Sequence, residues 1–226
     1  QHKTSRNVKL LPYHEDLKKA GACFGAAGGY ERPMWYSKNG ISEYKYSYNF
    51  QNWYPSAELE TKNTIQNVGL YELTPFSKFD LKGDRVYEEL QKICTANIKN
   101  DIGKCTYTQM LNSDGGIETD LTVVCISNNH YRVIGSAATR ERDKFHIKKY
   151  INESIKLIDV TDDYVCLGVF GPKSRELMSD ISNENFANEN FRFGCSKNIL
   201  IENKDVWVQR LSYVGEVGYE LYIKYS

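Results

Sequence analysis

Residues 107–124 read YTQMLNSDGGIETDLTVV. Two runs of alternating character flank Ser113-Asp114-Gly115-Gly116, and a Gly pair tolerates the positive φ that tight hairpin turns demand, so two antiparallel strands are expected here. In the second strand the period-2 rule puts Ile117, Thr119, Leu121 and Val123 on one face and Glu118, Asp120 and Thr122 on the other. The first face is the core candidate. The second carries two acids, and pattern alone reads these as solvated, because charged side chains are mostly exposed.

Upstream, residues 1–12 read as a tail and 13–20 as a short helix, with Gly21 placed for a left-handed C-cap. Gly25, Gly28 and Gly29 suggest a phosphate loop only superficially: no apolar strand is read before them, and Pro33 stops a helix from following. Residues 44–54, YKYSYNFQNWY, read as a strand or an extended arm. A helix is expected over 58–66, strands over 68–73 and 76–82, and a helix over 85–95 with Val86, Leu90 and Ile93 on one face. Beyond the hairpin come an Asn128-Asn129 turn, a strand over 131–137, a helix over 139–153 capped by Thr139, and strands over 156–160 and 164–170. A helix then follows Gly171-Pro172, with Pro172 in its first turn, and 183–190 reads as a polar loop. Strands close the chain over 197–202, 205–213 and 219–224.

FSKFDLKGDRVYEEL and YVCLGVFGPKSRELM share one plan, a strand ending in Gly and then a helix. That pairing, with the antiparallel strands, predicts an α+β fold of mixed or antiparallel sheets, helices on one face of each, in two related β-α halves. Residues 1–57 are expected to be a connector with an aromatic-rich arm, and 58–226 the main domain.

Composition narrows the functional classes. With 29 basic and 29 acidic residues the chain has no electrostatic footprint for nucleic acid or an anionic membrane. No run approaches a spanning helix, and QHKTSRNVKL lacks the apolar centre of a signal peptide, so a soluble protein is expected. The six cysteines show neither CxxC pairs nor Cys/His clustering; they read as reduced and buried, with no metal site. His14, His130 and His146 read as isolated surface or core residues.

Three segments occur in order: YERPMWY at 30–36, YTQMLNSDGGIETDLTV at 107–123 and LSYVGEVGYELYI at 211–223. Together they resemble the aminomethyltransferase family, which includes the glycine cleavage T-protein and the folate-binding region of dimethylglycine and sarcosine dehydrogenases. ERPxW, NWYP at 52–55 and FSKFDLKG look most like the dehydrogenase branch. The resemblance implies a T-protein-like domain that binds tetrahydrofolate and transfers a one-carbon unit to it from a methylated amine or aminomethyl donor, forming 5,10-methylenetetrahydrofolate.

On that resemblance Asp120 is the catalytic, folate-contacting carboxylate. An anion suits a reaction that develops positive charge and must remove a proton from nitrogen. Tyr107 is implied as a folate-pocket aromatic, Glu216 as the acid facing the pterin's paired donors, and Tyr213 as a weaker contact. Glu118 is not demanded by the motif, and Glu220 reads as an exposed or structural hydrogen-bonding residue. No FAD-binding GxGxxG is present, so a separate FAD domain or subunit is the implied partner, and the family's C-terminal part is not matched, leaving the folate cleft incomplete. Bacterial cytoplasm and mitochondrial matrix both fit. The competing readings are a non-catalytic regulatory subunit on the same fold and a folate-dependent demethylase of the same family.

Overall fold

In the computed structural model, residues 4–40, 43–99 and 101–225 are described; the first three residues of the expected tail and the last of the main domain lie outside them. Helix α1 (His14–Lys19) ends as expected, with Gly21 at φ +90°. The next stretch departs from expectation. Ala22–Ala27 (β1) and Tyr30–Tyr36 (β2) pair antiparallel around Gly28 and Gly29, both at positive φ. A strand therefore does precede the glycines, but a second strand follows them where a phosphate loop would have a helix. Pro33 is accommodated because the register shifts beside it, opposite Cys23 and Phe24.

Residues 44–53 form no strand, and α2 (Tyr54–Gln66) begins four residues earlier than expected because Pro55 fits its first turn. The remaining strands are β3 (Gly69–Glu72), β4 (Ser77–Lys82), β5 (Cys105–Leu111), β6 (Ile117–Ser127), β7 (His130–Gly135), β8 (Lys156–Asp159), β9 (Tyr164–Phe170), β10 (Ser196–Ile201), β11 (Lys204–Gln209) and β12 (Gly218–Lys224). The helices between them are α3 (Val86–Gln91), α4 (Arg140–Tyr150) and α5 (Ser174–Asp180).

Two five-stranded antiparallel sheets result, ordered β5-β6-β7-β4-β8 and β10-β11-β12-β9-β3. Each has a helix-side core. Val86, Leu90 and Ile147 of α3 and α4 pack on Phe79, Leu81, Leu121, Val123 and Val133 of the first sheet. Met178 of α5 packs on Val169, Val208 and Tyr219 of the second. A third cluster, Cys105, Val124, Ile134, Cys166 and Tyr222, lies between the sheets, so the layers run helix, sheet, sheet, helix. The face of β6 carrying Asp120 is thus buried at its Val124 end, which the sequence pattern did not indicate.

The two β-α halves are real. Gly83 after β4 and Gly171 after β9 sit at φ +153° and +133°, each three residues before its helix. A Cβ on Gly171 would stand 2.4 Å from the carbonyl of Asn67, so only glycine fits. Pro172 precedes the cap of α5 and is not in its first turn. Helix α3 stops at Gln91 because the chain then pairs with β5, Thr95 N donating to Gln109 O. Thr139 occupies the N-cap of α4, but its hydroxyl donates to Asp143 Oδ2 and leaves the helix amides uncapped. The 183–190 loop is not wholly polar in role: Phe186 plugs the second core beside Phe191 and Tyr219. β11 ends at Gln209, short of Tyr213.

Candidate functional site

The hairpin forms as a β5–β6 pair whose turn is held by Asn112, which accepts at Oδ1 from the amides of Asp114 and Gly116. Only Gly115 of the glycine pair uses positive φ. Cys105, Tyr107 and Gln109 of β5 share the inter-sheet face with Asp120, Thr122 and Val124 of β6. Toward the turn the second sheet no longer covers this face, and Tyr107 is 62 % exposed. There the Tyr107 hydroxyl donates to Asp120 Oδ2 at 2.8 Å, and the neighbouring carboxylate raises the phenol above its usual range. Asp120 is exposed. Glu118 instead accepts from Asn112 Nδ2, a turn contact.

The covered end of the same face is unusually polar. Arg132 on β7 grips Asp80 on β4 through Nε at 2.6 Å and Nη2 at 3.0 Å, and its guanidinium lies 4.6 and 4.8 Å from the rings of Tyr164 and Trp207 on the opposing sheet. His130 is not isolated, since its Nε2 lies 3.1 Å from Asp80. Burial acts to raise the Asp80 carboxyl, but His130 and Arg132 hold it down at about 2. Nearby, the ammonium of Lys78 is enclosed by the carbonyls of Thr74, Phe76 and Thr161, and burial lowers it to about 8.

From the second sheet, Gln209 accepts from Cys105 Sγ at 3.5 Å and pairs across strands with Glu220. Glu220 is half-buried, its carboxyl pushed up by burial against a 2.8 Å hydrogen bond from the Tyr222 hydroxyl. It is structural in that bond but not strand-exposed. The alternation of Glu220 and Tyr222 with Tyr219, Leu221 and Ile223 was the signal that could have placed it inward. Glu220, Gln209, Cys105, Tyr107 and Asp120 therefore form a continuous strip.

Tyr213 and Glu216 belong to the 210–217 loop at the end of β11. Leu211 anchors one end on the inter-sheet cluster, and Val217 O anchors the other by accepting from Gly171 N and Ser174 Oγ. Tyr213 is 87 % exposed, Glu216 is half-buried, and neither hydrogen-bonds to Tyr107 or Asp120. Among the described residues no group of three or more His, Cys, Asp or Glu side chains could hold a metal ion, and the cysteines form no disulfide, five of the six being buried. No helix of these residues is long and apolar enough to cross a membrane.

Comparison with known proteins agrees with this architecture. The chain is 37 % identical over 224 residues to a 4-methylaminobutanoate oxidase (formaldehyde-forming) from Paenarthrobacter nicotinovorans, covering 98 % of this chain and 27 % of that protein. It is 31 % identical over 206 residues to a mitochondrial dimethylglycine dehydrogenase from Rattus norvegicus, covering 88 % of this chain and 24 % of the relative. The chain thus spans about a quarter of the length of these relatives. The fold matches the glycine cleavage system aminomethyltransferase T from Bartonella henselae with a TM-score of 0.78 at 22 % identity, over 96 % of this chain and 54 % of that one. The family model of the GCVT N-terminal domain matches residues 13–226, and the chain belongs to this aminomethyltransferase family.

Proposed function

We propose that the chain is the folate-binding, one-carbon transfer module of an amine-oxidising protein, yielding 5,10-methylenetetrahydrofolate from a methylated amine or aminomethyl donor. The observation that carries this reading is the Tyr107–Asp120 pair at the open end of the inter-sheet face. Tetrahydrofolate, when bound, supplies the two amine nitrogens that take up the carbon.

Asp120 has the exposure to meet such an amine and to accept its proton, and Tyr107 fixes the carboxylate while presenting its ring for stacking. A flat heterocycle rich in N–H donors would meet an acceptor in Glu220, whose carboxyl is held in place by Tyr222. Glu216 and Tyr213 are read as further contacts from their loop, with Glu220 the better anchored acid.

Residues 1–57 are read as the connector toward an FAD-bearing domain or subunit, tied to the 58–226 domain by Arg32–Glu72 and Lys9–Asp162 ion pairs. A bacterial cytoplasm or mitochondrial matrix suits that role. The test is a melt with and without tetrahydrofolate: a ligand at a hundred times its Kd adds about 2.7 kcal/mol, and no shift at saturation overturns the reading.

A further inference from the structure

A crevice of about 380 Å³ opens between β2, α2 and β3, within the range of small-molecule sites. It sits at the β3 edge of the second sheet, the far edge from β10, and so apart from Tyr107 and Asp120. Its charged residues are Arg32, Glu60 and Glu72. Arg32 is already engaged by Glu72, donating from Nε to Oε2 at 3.1 Å and from Nη2 to the Glu72 carbonyl.

Glu60 is left without a cation. Its Oε1 accepts the Tyr36 amide at 3.1 Å, and among the described residues it forms no ion pair. Glu60 itself is exposed, and what burial the crevice gives it raises its carboxyl. The uncharged lining includes Tyr36, Tyr71 and Met34 beside Asn63 and Thr64, with Tyr71 fixed by its hydroxyl contact to Thr64 at 2.8 Å and by the Phe170 ring at 5.4 Å. A lone carboxylate suits no multidentate metal, whereas aromatic rings and a thioether favour a soft, alkylated cation over a strongly hydrated one.

We propose that this crevice binds a small organic ammonium ion, its charge against Glu60 and its alkyl groups against Tyr36, Tyr71 and Met34. The test is a calorimetric titration of the whole chain with tetramethylammonium chloride at constant ionic strength, with Glu60→Gln, Tyr36→Leu and Asp120→Asn in parallel and melts to verify folding. The expected result is saturable binding by the wild type, weakened about tenfold or more by Glu60→Gln, the fold-change equivalent to about 1.4 kcal/mol. Tyr36→Leu should weaken it as well, and Asp120→Asn should leave it unchanged. Absence of saturable binding by the wild type, or equal affinity in folded Glu60→Gln, would overturn the proposal.

Discussion

Tyr107 and Asp120 are joined across neighbouring strands by a 2.8 Å hydrogen bond, although Tyr107 lies opposite Thr122 and Asp120 opposite Gln109 in the register. The bond is therefore a diagonal one on a single face, and it aims the carboxylate along the exposed end of the strip.

Asp120→Asn should lower one-carbon transfer by roughly 10²–10⁴-fold, the usual weight of a general acid or base, while tetrahydrofolate binding largely persists. Tyr107→Phe should cost less, because it loosens the carboxylate without removing it. Single-turnover assays with tetrahydrofolate and an aminomethyl donor would separate the two. Both substitutions should leave stability within about 0.5 kcal/mol, since these side chains are exposed.

Arg132→Met should be strongly destabilising, by about 3–5 kcal/mol, because it leaves Asp80 charged and buried. The double variant Asp80→Leu/Arg132→Met should recover much of that loss in urea unfolding. Failure to recover would mean that the Tyr164 and Trp207 ring contacts, and not the ion pair, carry the stability.

Acid should weaken the fold through the same pair. The Asp80 carboxyl is depressed to about 2 in the folded chain against about 3.9 unfolded, so its contribution is present above the unfolded value and is lost as pH falls through the folded one. That contribution is roughly 2 kcal/mol, and unfolding free energies measured between pH 5 and 2 should fall more steeply in the wild type than in Asp80→Leu/Arg132→Met.

Lys78 has the opposite linkage. Burial lowers its ammonium to about 8 against about 10.4 unfolded, so the cost of enclosing the charge is full below pH 8 and is relieved as pH rises to the unfolded value. Buried cysteines and tyrosines with raised values counteract this at alkaline pH, so the measurement is the difference between wild type and Lys78→Met. The wild type should gain on the variant between pH 8 and 10.

Phe186→Ala should cost about 3–5 kcal/mol, an amount appropriate to an aromatic core side chain and far beyond that of a solvent loop residue. Denaturant unfolding midpoints would measure it.

Most elements were legible because their periodicity is local: Val86, Leu90 and Ile93 mark a helix face, and the β6 alternation marks a strand. What was not legible depended on distant partners. β1 and β2 carry too many small and polar residues to signal strands until they pair. Phe186 looks like a stray in a polar loop until α5 and β12 are placed against it. At the site, the motif context singled out Asp120 and Tyr107, which the fold brings together. Glu220 gained weight only when a second sheet was laid over its face, and Glu216 stayed on a loop.

The amides of Cys105 and Ser196 donate to the carbonyls of Gly194 and Gly103, linking the edges of the two sheets through backbone separated by about ninety residues. Such a link has a kinetic consequence. Chain entropy must be lost before these bonds form, so each half is expected to complete its own sheet first. Until they meet, β5 and β10 remain bare edges open to intermolecular pairing, and refolding yield should fall as protein concentration rises.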